Sequence, residues 1–458
     1  MATTESSSNN TNGGAGGEGN GGSWVASCWR RPRSAPECLL LSAVRFAEKV
    51  GQTARDDPRR VAHSLKVGLA LTLVSVVYYV RPLFNGFGGS AMWAVLTVVI
   101  VMEFTVGATL SKGLNRALAT LVASSLAIGA HEGASLVVPR SEMAESILLV
   151  VFVFFVASAA TFSRFIPEIK ARFDYGVSIF ILTFSLVAVS SYRIEELMPL
   201  ALQRTSTIFV GVAICLCTTI LVFPVWAGED LHKLAAGNLD KLADFLEGME
   251  TECFGENARS GDLEGKDFLH AYKSVLSSKD KEDSLCTLAK WEPIHGKFRF
   301  RHPWSEYQNL GTLCRQCAAT MEALASYVVI LTKYQYPEAN PELCLKVQTT
   351  CSQISLHSAR SLRELSSAVR SMTTPAPTNN DLSAAMKAAN GCRNELLEDA
   401  ALLQVVHIAV IASHISDLVI QINKITESVD NLARLARFRN PKITQNDVVI
   451  NVKIVDNR

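Results

Sequence analysis

Six apolar runs punctuate the first half of the chain: Leu65–Val80, Ala91–Gly107, Ala117–Ala130, Ile147–Phe162, Val177–Ser190 and Ile208–Trp226. Breakers separate them: Pro82 with Gly86, Gly88 and Gly89, then Pro139, Pro167 and Pro199. Several runs fall short of the ~20 residues that cross ~30 Å of hydrocarbon. Flanking amphipathic residues complete such a span where they face protein or a water-filled cavity. Small residues recur inside the runs, as at Ala119, Ala123, Ser124, Ser125 and Ala127, and let helices approach closely in a bilayer. From Gly228 the pattern changes to amphipathic helices. Leu231, Leu234, Leu242, Phe245 and Met249 form one stripe. Ile408, Ile411, Ile415, Leu418, Ile422, Ile425, Val429 and Leu432 form a sharper one, with alternating steps of three and four. That seam is read either as a subunit-dimerising helix or as the core face of an intrachain bundle. The fold class expected is all-α: a six-helix transmembrane domain followed by a cytosolic helical bundle.

Charge sharpens the division. Residues 61–227 hold 18 charged side chains in 167, about 11%, against roughly 25% in soluble chains. Residues 228–458 hold 55 in 231, an ordinary soluble value. The expected organisation is a disordered, basic cytosolic segment over 1–54, a transmembrane domain over 55–227 and a cytosolic domain over 228–458, with a linker near 372–380. Met1–Ser23 has no apolar core and is not a cleavable signal peptide; it reads as disordered, followed by Arg30, Arg31 and Arg33, which suit lipid headgroups or plain solvent. The tail Val448–Val455 reads as a short strand or disorder. Lys and Arg crowd one side of the spans, ten against four, which puts both termini in the cytosol. A net charge of +1 argues against a nucleic-acid partner. The 11 cysteines form no zinc spacing, and Cys314 and Cys317 lack a second pair. No P-loop, Gly-x-Ser-x-Gly or His-Glu-x-x-His motif is present, and His232, His295 and His302 stand isolated. Neither an enzyme nor a cofactor is expected.

Ionisable residues at membrane depth are costly, so they pair or line a water pathway. Here they are mostly basic: Lys66, Lys112, Arg116, Arg164, Arg172 and Arg204. Such residues favour anions in a pore and repel cations. The bland alternative is that they snorkel to headgroups and set topology. Glu103 is the sole acid inside a marked run. It reads as a counter-ion to Lys112 or Arg116, or as a proton-coupling carboxylate.

Several strings together resemble the plant aluminium-activated malate transporter family of anion channels. They are Asp57-Pro58-Arg59-Arg60, Lys66-Val67-Gly68-Leu69, Ala91-Met92-Trp93-Ala94, Glu103-Phe104-Thr105-Val106-Gly107, Lys112-Gly113-Leu114-Asn115-Arg116, Arg164-Phe165-Ile166-Pro167, Phe173-Asp174-Tyr175-Gly176, Phe223-Pro224-Val225-Trp226-Ala227-Gly228-Glu229-Asp230 and Trp291-Glu292-Pro293. The resemblance implies a homodimer with six transmembrane helices per subunit. It implies passive, voltage-influenced efflux of malate and other small anions, with membrane lipid as the remaining partner. Lys66, Arg116 and Arg164 match the family's basic pore positions, and Lys112, Arg172 and Arg204 are further candidates. Trp291, Glu292 and Pro293 look like a structural element joining the cytosolic helices to the membrane domain. Not every member responds to aluminium; here the external carboxylates for a trivalent ion would be Glu132, Glu142 and Glu145. The plasma membrane is the expected address and the vacuolar membrane the alternative. Two other functions compete: a proton-coupled organic-acid exporter, which needs Glu103 as its membrane carboxylate, and a membrane-anchored scaffold using the Ile408–Leu432 seam.

Overall fold

The computed structural model describes residues 35–80, 92–137, 142–190, 197–254, 266–296, 298, 302–334, 341–375, 380–398 and 406–440. It divides after Val61 into two units. The first contains helix α1, Ala35–Asp56, and the opening turn of α2, Pro58–Tyr79. Asp57 separates the two helices: its Oδ1 accepts the Arg59 N–H at 3.1 Å, and Pro58 follows at the first helical position. This is an Asp cap with proline at the position where a missing N–H costs nothing. The expected disordered lead-in over 1–54 is therefore helical from Ala35 onward. Residues 1–34, with Arg30, Arg31 and Arg33, lie outside the described residues, as do 376–379 of the linker and the tail Val448–Val455.

The second unit begins with the rest of α2 and continues through α3 (Met92–Val101), α4 (Val106–Val137), α5 (Glu142–Ser163), α6 (Pro167–Ser190) and α7 (Leu197–Leu221). Among the described residues five helices are long and apolar enough to cross a membrane: Pro58–Tyr79, Val106–Val137, Met143–Ser163, Pro167–Val189 and Ala201–Leu221. The run Ala91–Gly107, expected as one span, is different. Within it Met92–Val101 is one helix, the helix breaks over 102–105, and another begins at Val106. The break is hydrogen-bonded: Thr109 Oγ1 accepts the Glu103 N–H at 3.0 Å, and the Val106 N–H reaches the Val225 carbonyl at 2.9 Å. α4 packs on α6 and α7, α3 on α7, and α5 on α6. Glycines permit the close approaches. A Cβ on Gly211 of α7 would lie 2.9 Å from Thr97 of α3, and one on Gly113 of α4 3.1 Å from Val212.

After a turn at Phe223–Trp226 the chain forms α8 (Ala227–Met249), α9 (Lys273–Leu276), α10 (Lys279–Ala289), α11 (Trp304–Tyr334), α12 (Pro341–Ser371), α13 (Asn380–Glu398) and α14 (Val406–Ala436). One hydrophobic core runs through them, including Leu239, Leu242, Phe245, Met321, Leu324 and Leu362. Ile415, Leu418, Ile422, Ile425, Val429 and Leu432 of the seam are buried in that same core, against α11, α12 and α13. The seam is thus spent within the chain, which removes it as a dimerising or partner-binding surface. Polar ties cross the bundle. Glu282 is buried and accepts from Asn238 at 3.0 Å and Ser278 at 2.7 Å while pairing with Arg315. Arg363 bridges from α12 to Asp240, Asp244 and Glu247 of α8.

α12 and α14 end alike. The Thr373 N–H returns to the Ala368 carbonyl at 3.1 Å, and the Phe438 N–H to Ala433 at 2.9 Å. These are Schellman closures, which call for a left-handed residue just past the helix. Met372 (φ 53°) and Arg437 (φ 56°) fill those positions without being glycine.

Candidate anion pathway

Arg116 sits ten residues into α4, about 15 Å from its start at 1.5 Å per residue. Only 2% of it is exposed. Its Nε donates to Thr97 Oγ1 of α3 at 3.1 Å, and its Nη1 to the Tyr175 hydroxyl of α6 at 3.4 Å. Thr97 Oγ1 donates in turn to the Trp93 carbonyl at 2.6 Å. Arg204 of α7 approaches the same place. Its guanidinium stands 5.2 Å from the Trp93 ring centre, a cation–π contact. Arg116, Arg204, Trp93, Thr183 and Ile208 line one small cavity of about 20 Å³, room for a water but not for a dicarboxylate. Among the described residues neither arginine forms an ion pair with a carboxylate, and the buried Nε of Arg204 has no hydrogen-bond partner.

The other four basic residues are arranged differently. Lys66 is 1% exposed, and its Nζ donates to the Phe223 carbonyl at 2.7 Å, where the backbone turns left-handed (φ 42°). Lys112 pairs with Glu103 and stands 5.9 Å from the Tyr175 ring centre. Arg164 makes a two-pronged contact with Asp174, at 2.8 Å from Nε and 3.1 Å from Nη2. The Arg172 side chain is exposed, and its carbonyl accepts the Asn115 side-chain amide at 3.1 Å. Of six candidates the structure brings two to one cavity, gives two a carboxylate each, ties one to a carbonyl and leaves one at the surface. Sequence reading missed Trp93, Thr97 and Tyr175, which hold the arginines, and Asp174, which neutralises Arg164. Asp174 lies ten residues past Arg164, beyond the turn into α6, so no i,i+4 spacing advertises the pair.

Trp291, Glu292 and Pro293 lie where α4, α8 and α10 meet. Glu292 Oε1 accepts the Ala227 N–H at 2.6 Å, and Oε2 the Gly228 N–H at 2.9 Å. A carboxylate thus caps the start of α8 from 64 residues away, where the helix dipole favours negative charge. Burial pushes the Glu292 carboxyl above its ordinary value, although both N–H groups pull the other way. Gly107 of α4 lies against the Leu288 carbonyl and the Glu292 side chain with no space for a Cβ; Gly228 is as tightly covered by Trp304.

The three histidines that stand apart in sequence are gathered beside this junction. His232 Nδ1 lies 2.8 Å from the Tyr307 hydroxyl, and His302 Nε2 3.2 Å from it. His295 stacks on Trp226 with ring centres 3.8 Å apart. Burial, with His232 and His295 nearby, lowers His302 to about 4. Cys314 and Cys317 are buried thiols; desolvation raises both, Cys317 to about 12.

Of the carboxylates considered for aluminium, Glu132 is exposed, Glu145 lies 3.1 Å from His131, and the Glu142 side chain is outside what is described. Among the described residues no three His, Cys, Asp or Glu side chains converge as a metal site.

The sequence matches the family described as aluminium activated malate transporter over residues 51–404. It is 65% identical over 429 residues to aluminum-activated malate transporter 1 of Triticum aestivum, covering 93% of this chain and 94% of that one. It is 46% identical over 407 residues to aluminum-activated malate transporter 2 of Arabidopsis thaliana, covering 87% and 79%.

Proposed function

The chain belongs to the aluminium-activated malate transporter family, and on that premise we propose that it is a channel for malate and other small organic and inorganic anions, driven passively and influenced by voltage. It is an integral membrane protein of a transporter family, and no catalytic role is assigned to it. The observation that carries the reading is the pair Arg116 and Arg204, two cations facing one cavity with no carboxylate partner among the described residues. A buried cation without an anion is costly, and a passing carboxylate lowers that cost. The water-sized cavity represents a closed constriction that must widen for malate. Lys112 and Arg164, already partnered, shape the approach field; Lys66 acts chiefly as a tether, and Arg172 as a surface attraction.

The proposed subunit has six spans, α3 being the short one, within residues 55–227. Residues 228–458 form the cytosolic domain, and both termini are cytosolic. Two subunits form the channel, and the plasma membrane is the proposed address. The exporter alternative needs Glu103 to exchange a proton. Its pairing with Lys112 favours the counter-ion role instead.

Excised patches expressing the chain, with malate on the cytosolic face, test the reading. Unitary anion currents are expected. Arg116→Glu and Arg204→Glu should each cut malate current at least about tenfold, equivalent to ~1.4 kcal/mol, with surface expression unchanged. Arg172→Glu should alter it far less. Flux that saturates, depends on a pH gradient and vanishes in Glu103→Gln would favour the exporter.

A further inference from the structure

α1 supplies none of the residues proposed for the pathway, yet its pattern is specific. It is a 22-residue helix, about 33 Å long. At 100° per residue, Phe46, Val50, Ala43, Ala54, Ala47 and Val44 fall in one arc of about 160°. Arg55 borders that arc on one edge and Lys49 lies beyond the other, with Arg45 on the polar side. The apolar side chains are uncovered: Phe46 is 70% exposed, Val44 53% and Val50 51%. A helix of this kind in water would hide that face in a core, and within its own unit none is formed around it.

Its neighbour in sequence says what lies beside it. One residue, Asp57, separates α1 from α2, which is long and apolar enough to span a bilayer. α2 carries its own outward stripe of Val61, Leu65, Leu69, Leu73 and Val76, each exposed as a lipid-facing side chain is. Arg59 and Arg60 stand at its start, at the headgroup level. By connectivity the last turn of α1 is one residue in sequence from the start of a helix long and apolar enough to span. A helix arriving there has bilayer surface next to it.

We propose that α1 is an interfacial helix. It lies along the leaflet from which α2 enters, with Phe46, Val44 and Val50 in the headgroup–acyl boundary and Lys49, Arg45 and Arg55 beside anionic lipid phosphates. The chemistry matches that of surface-lying amphipathic helices in its apolar arc and charged opposite face. That face carries Glu48 and Asp56 beside Arg45, Lys49 and Arg55, and with Glu37 the helix is neutral overall. The apolar arc therefore supplies most of the attraction, and the bases contribute by local contact with phosphates. The inference rests on α2 being a span but not on what the pathway carries.

The test uses the full-length protein in vesicles of phosphatidylcholine with one quarter phosphatidylserine. The photo-crosslinking residue p-benzoylphenylalanine replaces Phe46 in one sample and Gln52, on the polar face, in another. Mass spectrometry identifies the adducts. Lipid adducts severalfold more abundant from position 46 than from 52 are expected. Replacing Arg45, Lys49 and Arg55 together by Gln should lower the yield at 46 by about half or more, since each basic residue near an anionic surface contributes ~1 kcal/mol. Equal labelling from the two positions overturns the proposal. So does an adduct at 46 to a second copy of the chain, which would make the face a subunit contact. An unchanged yield in the triple Gln variant overturns the anionic-headgroup part. Loss of anion current with intact lipid adducts would concern the channel reading alone.

Discussion

The helices α2–α7 and the bundle α8–α14 are built inside out relative to one another. In the bundle the buried positions are large: Leu239, Leu242, Phe245, Met321, Leu324 and Ile422 are all fully enclosed. In α2–α7 the enclosed positions are mostly small or hydroxylic, such as Ala70, Thr97, Thr109, Thr120, Ala123 and Ala127, while Leu118, Val150, Phe154 and Phe155 point outward. Several of the hydroxyls turn back on their own helices, as Thr97 does to Trp93 at 2.6 Å and Thr219 to Cys215 at 2.7 Å. Water drives large side chains inward by the hydrophobic effect. Lipid gives no such drive, so the helices hold together by close packing of small residues and by polar contacts. Arg116 can be enclosed on the membrane side because Thr97 and Tyr175 are there to receive it.

The contrast can be broken directly. In detergent-solubilised protein, Leu242→Ala and Leu418→Ala should each cost about 2–5 kcal/mol by opening a cavity in the bundle. Leu118→Ala or Phe155→Ala, at exposed positions, should change stability by less than about 0.5 kcal/mol. Thermal unfolding followed by circular dichroism reads both. Equal losses in the two regions would undo the comparison.

A second effect belongs to the bundle and depends on pH. The folded state holds His302 near 4, below its ordinary 6.5, so the unfolded chain binds its proton first as pH falls. Stability attributable to His302 is complete above about 6.5 and declines from there toward pH 4, by order 2–3 kcal/mol. His302→Phe should flatten that part of the profile. A wild-type slope surviving in the variant would assign it elsewhere.

The smallest effect concerns the end of α14. Arg437 is exposed and left-handed, so Arg437→Gly should stabilise the bundle by about 1 kcal/mol. Met372→Gly relieves the same conformation but removes a buried side chain, and should show no gain.

These details differ in how far the sequence discloses them. The seam in α14 is periodic, so its helix is readable, but periodicity alone does not say which chain it faces. The membrane helices are readable from their apolar runs. The break between α3 and α4 is less so, because Glu103 sits in an otherwise unbroken run and the bonds that stop the helix come from Thr109 and Val225. Lys112 near Glu103 is suggested by proximity in sequence. Arg116 with Thr97 and Tyr175 is not, since three helices must first assemble. The same holds for Tyr307 between His232 and His302. Residue types identify which groups need partners; only packing chooses the partners.

The footing of α4 has one mechanical consequence. Its first turn is clamped by the Val106–Val225 bond and by Leu288 and Glu292 over Gly107, all at the edge of the bundle. α4 is therefore a stiff rod with an anchored base and a guanidinium partway up. A tilt of about 5° at the base swings the backbone at Arg116 by roughly 1 Å over its ~15 Å arm. Against a cavity one water wide that displacement is large, so on the proposed channel reading small rotations within the bundle would change the width of the constriction.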